Sequence, residues 1–183
     1  MKRALICTGL LFAATTLLAQ QKAPPLSPPA TATATIAGKT ITITYSSPRV
    51  KGREGKIYTK DGLIATSRGS QYPIWRGGAN AATTLQTSGD LTIGDLSVPA
   101  GTYTLFVDIS DPANWVLIVS KKTGEWGLAY DNTQDLGKTK MATSATPSLV
   151  EDLTYTIIDN GGGKGTLTLA WENVSASVPI HAH

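Results

Sequence analysis

Histidine and cysteine are nearly missing from the 183-residue chain. The two histidines are His181 and His183, and the one cysteine is Cys7, near the amino terminus. A Ser-His-Asp triad or a metal centre with three or four ligands would therefore have to recruit groups from the two ends of the chain. The Walker A, G-x-S-x-G and H-E-x-x-H patterns are also absent from the sequence. We predict no metal site and no cofactor, and the sequence favours a non-enzymatic function without deciding the question.

Charge is also scarce. Charged residues make up 16% of the chain, below the quarter that is usual in globular proteins, and the formal net charge is only +3. A small net charge does not favour nucleic acid, so we expect no nucleic-acid partner. Hydrophobic residues reach 41%, which excludes a chain disordered throughout. The length suits one compact domain with its own core.

The amino terminus has the pattern of an export signal. Lys2 and Arg3 precede an uncharged, largely apolar run over 4–19, which ends in a small residue, Ala19. The run is shorter than the roughly 20 residues that span a bilayer as a helix. We therefore predict a signal peptide over 1–19, with a retained membrane anchor as the alternative. The protein would be exported to the periplasm or the extracellular space, with no membrane span after cleavage.

The rest of the chain has the organisation of a single β domain. Residues 20–29 are rich in proline and predict a disordered tether, 30–180 form the domain, and 181–183 form a tail. Ile41, Ile43 and Tyr45 alternate with threonines, which is typical of a strand with one buried face. Further strand-like segments, among them 83–87, 91–93 and 139–144, follow at spacings of about ten residues and are separated by turn residues.

This spacing predicts an all-β fold with little helix. We expect an antiparallel β-sandwich, with a jelly-roll-like arrangement or a partly closed barrel as alternatives. Short strands are expected around 56–59 and 74–76, and the start of a short helix only near 147–151. The segment 46–81 is the least regular part and holds four of the five arginines. Long irregular stretches in compact domains are often functional.

The candidate site residues combine guanidinium groups, rings and carboxylates. Arginine donates bidentate hydrogen bonds to carboxylate or phosphate, aromatic faces stack on sugars or other rings, and two carboxylates can act as acid and base. The candidates for ligand binding are Arg49, Arg53, Trp75, Arg76, Asn80, Trp126, Tyr130, Asp131 and Asp135.

Five short motifs occur in order along the chain. They are Ser47-Pro48-Arg49, Trp75-Arg76-Gly77-Gly78-Ala79-Asn80, Pro99-Ala100-Gly101-Thr102-Tyr103, Trp126-Gly127 with Tyr130-Asp131, and Trp171-Glu172 with Val178-Pro179-Ile180. From about residue 35 to 180 the chain resembles the bacterial exported family known as domain of unknown function 2911. The resemblance implies an exported β-sandwich-like domain and brings no established activity.

Three functional hypotheses follow. The first is a binding or interaction module of the cell envelope, with a glycan, a peptide or a protein as its ligand. The second is a hydrolase in which Asp131 and Asp135 act as acid and base while Arg49 or Arg76 stabilises developing charge. It requires both carboxylates in one pocket and an upward shift of at least one carboxyl pKa. The third is a structural network of Arg49, Arg76 and Asp131.

Overall fold

The computed structural model describes residues 25–124, 126 and 129–183. These residues form two antiparallel sheets that do not close into a barrel, which confirms the predicted β-sandwich and excludes the barrel alternative. The predicted signal peptide and residues 20–24 of the predicted tether lie outside the described residues. No helix in the described part of the chain is both long enough and apolar enough to cross a membrane.

In the described part of the chain, the strands and the one α-helix follow each other with short connections, except between β2 and β4 and between β8 and β9. They are β1 Pro29–Ile36, β2 Lys39–Ser46, α1 Leu63–Thr66, β3 Ile74–Trp75, β4 Thr83–Thr87, β5 Leu91–Ile93, β6 Leu96–Val98, β7 Gly101–Asp108, β8 Val116–Ser120, β9 Asp135–Lys140, β10 Ala142–Gly161 and β11 Lys164–Ala182. A 3-10 turn at Asn132–Gln134 precedes β9.

The two sheets differ in size. Among the described residues, the larger sheet has the strand order β1-β2-β4-β7-β8-β9, and β3 pairs with the end of β7 beyond β4. The smaller sheet has the order β10-β11-β5-β6. Since β3 belongs to one sheet and β11 to the other, side chains on these two strands can meet where the sheets face each other.

The alternation read from the sequence decides which side chains are buried. In β2, Ile41, Ile43 and Tyr45 are buried while the threonines between them are exposed or half-buried. A two-residue turn at Ala37 and Gly38, both with positive φ, joins β1 to β2 and matches the right-handed twist of a hairpin. In β8 the four residues after Val116 are all buried, as expected for a strand covered on both faces.

Some local predictions are wrong. The segment 147–151 is not a helix but part of β10, and 56–59 forms turns instead of a strand. At the carboxyl end, β11 continues through Ala182 in place of a separate tail, and His183 Nε2 lies 2.8 Å from Thr92 Oγ1. The segment 147–151 and the carboxyl end pair with distant parts of the chain, and local pattern does not reveal such partners.

The irregular segment 47–82 is fixed to the smaller sheet at its beginning. Leu153 N donates to Pro48 O at 3.0 Å, and Val50 N donates to Glu151 O at 2.9 Å. Further along, Ile57 and Ile64 are buried in the core. The segment is therefore a covering layer with its own anchors, and it lies against β10 and β11 with its arginines available to a pocket.

Candidate functional site

A pocket of about 680 Å³ lies between segment 47–82, the residues before β1, and Trp171 of β11. This volume lies in the range of small-molecule sites. Its lining residues are Leu26, Ser27, Pro48, Arg49, Lys51, Arg53, Leu63, Ile64, Ser67, Arg68, Trp75, Arg76, Gly78, Ala79, Asn80, Trp126 and Trp171. The pocket therefore brings together six of the nine predicted site residues: Arg49, Arg53, Trp75, Arg76, Asn80 and Trp126.

The base of the pocket is a pair of stacked indoles. Trp75 of β3 and Trp171 of β11 lie with ring centroids 5.8 Å apart and planes inclined by 22°. Each indole N–H donates to a backbone carbonyl, Trp75 Nε1 to Gly78 O at 3.0 Å and Trp171 Nε1 to Glu151 O at 3.3 Å. Both rings are almost fully buried, so they present a small apolar surface to the pocket and mainly join the two sheets.

Two more aromatic rings pack behind this pair. Tyr58 lies 6.0 Å from Trp171 and 5.0 Å from Trp115, centroid to centroid, and its hydroxyl donates to Trp171 O at 2.9 Å. Burial raises the pKa of Tyr58, and the charge of Glu172 raises it further. The cluster holds Tyr58, and with it the middle of segment 47–82, against β11.

Five cationic side chains line the pocket: Arg49, Lys51, Arg53, Arg68 and Arg76. No aspartate or glutamate is among the lining residues described by the structure. Arg49 forms an ion pair from its Nε to Asp152 Oδ1 at 2.7 Å, and both side chains are about half exposed. For the other four cations, no ion pair with a described carboxylate is present. The pocket is therefore strongly positive.

Backbone carbonyls orient two of these arginines. Arg53 donates from Nε to Val50 O at 2.8 Å and from Nη2 to Arg49 O at 2.6 Å. Arg76 donates from Nη1 to Asn80 O at 2.8 Å. A guanidinium group carries five N–H donors, so these bonds use two in Arg53 and one in Arg76. Partial burial lowers the pKa of Arg76, although arginine stays charged at neutral pH.

The turn after β3 holds Asn80 near the pocket. Gly77 and Asn80 both have positive φ, a conformation that glycine and asparagine tolerate best. A Cβ at Gly77 would collide with the hydroxyl of Tyr155, which donates to Gly77 O at 2.9 Å. Asn80 Nδ2 donates to Ser27 O at 3.3 Å. The amide of Asn80 therefore ties the chain before β1 to the rim of the pocket.

Glu172 supports the segment that lines the pocket, and the candidate list missed it. It follows Trp171 in β11, has positive φ, and is 2% exposed. Its Oε1 accepts a hydrogen bond from Gly55 N, and its backbone oxygen accepts from Thr146 Oγ1 at 3.2 Å. The buried carboxylate thereby holds the turn that follows Arg53. The Trp171-Glu172 motif in the sequence was the available signal for it.

Tyr130, Asp131 and Asp135 do not line the pocket. Tyr130 packs on Phe106 with centroids 5.1 Å apart and donates from its hydroxyl to Asp135 Oδ2 at 2.7 Å. The same carboxylate oxygen lies 3.3 Å from Lys138 Nζ. These contacts make Tyr130 and Asp135 a surface cluster at the start of β9, separate from the arginine-lined pocket.

Asp131 caps the 3-10 turn before β9. Its Oδ1 accepts from Thr133 N at 3.0 Å and from Thr133 Oγ1 at 2.6 Å. The hydrogen bond from the Thr133 hydroxyl, followed by that from the backbone N–H, lowers the pKa of Asp131, which is the opposite of the shift that the hydrolase hypothesis requires. The predicted network of Arg49, Arg76 and Asp131 is also wrong, because Arg49 pairs with Asp152 and Asp131 bonds to Thr133.

Comparisons with known proteins agree with the motifs. No curated protein and no solved structure matches the chain significantly. The model of one family, described as a protein of unknown function (DUF2911), matches residues 27–180, which include nearly all of the sandwich and every lining residue of the pocket except Leu26. The chain belongs to the DUF2911 family.

Proposed function

We propose that the protein is a binding module of the cell envelope whose pocket holds an anionic ligand. One observation carries the proposal: five cationic side chains line the pocket, and no carboxylate among the described residues lines it with them. A half-buried guanidinium without a carboxylate partner is costly in the empty protein, and an anion entering the pocket removes that cost. A glycan, a peptide or a protein segment qualifies as ligand where it carries acidic groups.

The hydrolase hypothesis has less support. Asp131 and Asp135 bond within their own part of the surface, to Thr133, Tyr130 and Lys138, so neither carboxylate is placed to act on a ligand beside Arg76. The geometry therefore supports binding through Arg53 and Arg76 better than acid–base chemistry.

The test is a calorimetric titration with simple anions. Inorganic phosphate, sulfate and glucuronate should bind saturably and glucose should not, and the affinity should fall as salt rises because the ion pairs are screened. Arg53→Gln and Arg76→Gln should each weaken anion binding by about tenfold, the effect of losing one charge-assisted hydrogen bond.

Lys164→Gln is the matched control, because Lys164 is exposed, lies in the smaller sheet at the start of β11 and is not a lining residue. It removes the same charge from the protein without changing the pocket. Equal anion affinities in Lys164→Gln and in both arginine variants would refute the proposal, since only general charge would then matter.

A further inference from the structure

Two of the apolar residues that line the pocket are strongly exposed and form its rim. Leu26 is 76% exposed and Trp126 is 64% exposed, and these are the two most exposed large hydrophobic side chains among the described residues. Both line the pocket. The next in exposure, Ile158 and Leu149, lie on β10 and do not line it. Exposed apolar groups beside a polar site mark a binding surface.

The cationic groups lie in the same pocket as this rim. Arg49 is offset by Asp152, which leaves four lining cations without an ion pair to a described carboxylate. A ligand with one negative charge would leave most of the positive charge of these four side chains uncompensated. Arg53 and Arg76, each oriented by backbone carbonyls, present planar groups that fit the oxygens of a phosphate.

The exposed indole of Trp126 at the rim of the pocket sets a second requirement for the ligand. The indole of Trp126 is exposed, and an aromatic face stacks on another ring or on the apolar face of a sugar. The stacked indoles at the base are buried and have both N–H groups engaged, so they add apolar contact without a polar preference. The ring-binding and phosphate-binding surfaces therefore adjoin within one pocket.

We infer that the ligand is a phosphate ester of a ring compound, with the phosphate at Arg53 and Arg76 and the ring against Trp126 and Leu26. The inference rests on the proposed anion-binding function and names its ligand class. The ring is a hexose or an arene, and the two share the chemistry that Trp126 recognises, a flat apolar face beside a dianion.

The experiment compares matched probes by calorimetry on the purified protein. The probes are inorganic phosphate, phenyl phosphate, glucose 6-phosphate, benzoate and phenyl glucoside. At least one of the two ring phosphates should bind about tenfold more tightly than inorganic phosphate, the effect of removing a ring face from water. The tighter of the two identifies the kind of ring. Benzoate, with one charge, and neutral phenyl glucoside should bind more weakly than the preferred ring phosphate.

Variants separate this inference from the proposed function. Trp126→Ala should weaken the binding of the ring phosphate several times more than that of inorganic phosphate, and so remove most of the advantage of the ring. Leu149→Ala, which removes another exposed apolar side chain outside the pocket, should change neither affinity. Arg76→Gln should weaken inorganic phosphate and ring phosphates alike.

The outcomes are distinct. Equal affinities for inorganic phosphate and for both ring phosphates, or a ring advantage that survives Trp126→Ala, would overturn the ring inference while anion binding stands. Tight binding of phenyl glucoside that is insensitive to Arg53→Gln and Arg76→Gln would overturn the anion-binding function itself.

Discussion

The buried carboxylate of Glu172 accepts a hydrogen bond from the backbone N–H of Gly55. Glu172 lies in β11 of the smaller sheet, and Gly55 follows Arg53, which lines the pocket. Glu172 is 2% exposed and has positive φ, and the register between β10 and β11 shifts beside it. The contact links the position of Arg53 to the architecture of the sandwich.

Replacing Glu172 tests that link. Glu172→Ala leaves the N–H of Gly55 unpaired and opens a cavity, so the free energy of unfolding should fall by about 2–4 kcal/mol. Glu172→Gln keeps an acceptor oxygen in place and should cost clearly less. Urea unfolding measures both variants. An alanine variant within about 0.5 kcal/mol of the wild type would contradict the role of this carboxylate.

Gly77→Ala should destabilise the turn after β3. The added Cβ meets the Tyr155 hydroxyl and also has to adopt positive φ, so the expected loss is about 2–3 kcal/mol. Gly162→Ala isolates the backbone contribution, because Gly162 has φ of 62° with nothing within 4 Å of its Cβ position. Thermal unfolding of both variants compares their losses of stability. Equal losses in Gly77→Ala and Gly162→Ala would mean that the Tyr155 side chain moves away and the collision costs nothing.

Buried tyrosines predict a loss of stability at alkaline pH. Burial raises the pKa of Tyr155 above its ordinary value, and the neighbouring Tyr45 raises it further. The unfolded chain releases the phenol proton of Tyr155 near pH 10, while the folded chain retains it. The stability that Tyr155 contributes to the folded state is therefore complete below about pH 10 and is lost as the pH rises. Tyr155 should lower stability by about 1.4 kcal/mol for each pH unit above that point.

Urea unfolding between about pH 9 and pH 11 measures this slope. Tyr155→Phe removes one of the buried ionisable groups and should reduce the slope by about 1.4 kcal/mol per pH unit, while the buried Tyr58, whose pKa is also raised, keeps its own contribution. A slope unchanged by this substitution would assign the alkaline loss to other groups.

Arg76→Gln should leave the empty protein nearly as stable as the wild type. No described carboxylate pairs with Arg76, and its bond to Asn80 O is replaceable by solvent or by the glutamine amide, so a change within about 1 kcal/mol is expected. A buried structural ion pair would instead cost about 3–5 kcal/mol when broken. Thermal unfolding without ligand distinguishes the two, and a loss in the larger range would favour a structural role for Arg76.

Much of the fold could be predicted because the pattern in the strands is regular. The predicted bounds of β4 and β5 agree with the structure, since alternation and turn residues define each of them locally. The three-residue β6 was missed, and a predicted strand at 139–144 spans the break between β9 and β10 at Met141. Such short or interrupted strands depend on pairing with distant residues, which periodicity does not contain.

The candidate site was predictable where its residues share one segment. All four arginines of the irregular stretch reach the same pocket, because a segment that is anchored along its length to the sandwich turns its charged side chains to one region. Trp171 comes from a strand nearly a hundred residues later, and only sheet packing places it against Trp75. Tyr130 and Asp135 were misplaced for the same reason, since the start of β9 brings them to Phe106 instead.

Trp75 and Trp171, whose rings stack at the base of the pocket, come from different sheets. The binding site therefore exists only in the folded chain, and a bound ligand stabilises the folded state. A molecule resting on a surface to which both sheets contribute binds the native chain and not the unfolded one. By mass action, a ligand present at a hundred times its dissociation constant adds about 2.7 kcal/mol to stability. A melting-temperature screen across phosphorylated small molecules therefore tests the proposed ligand class without any assay of activity.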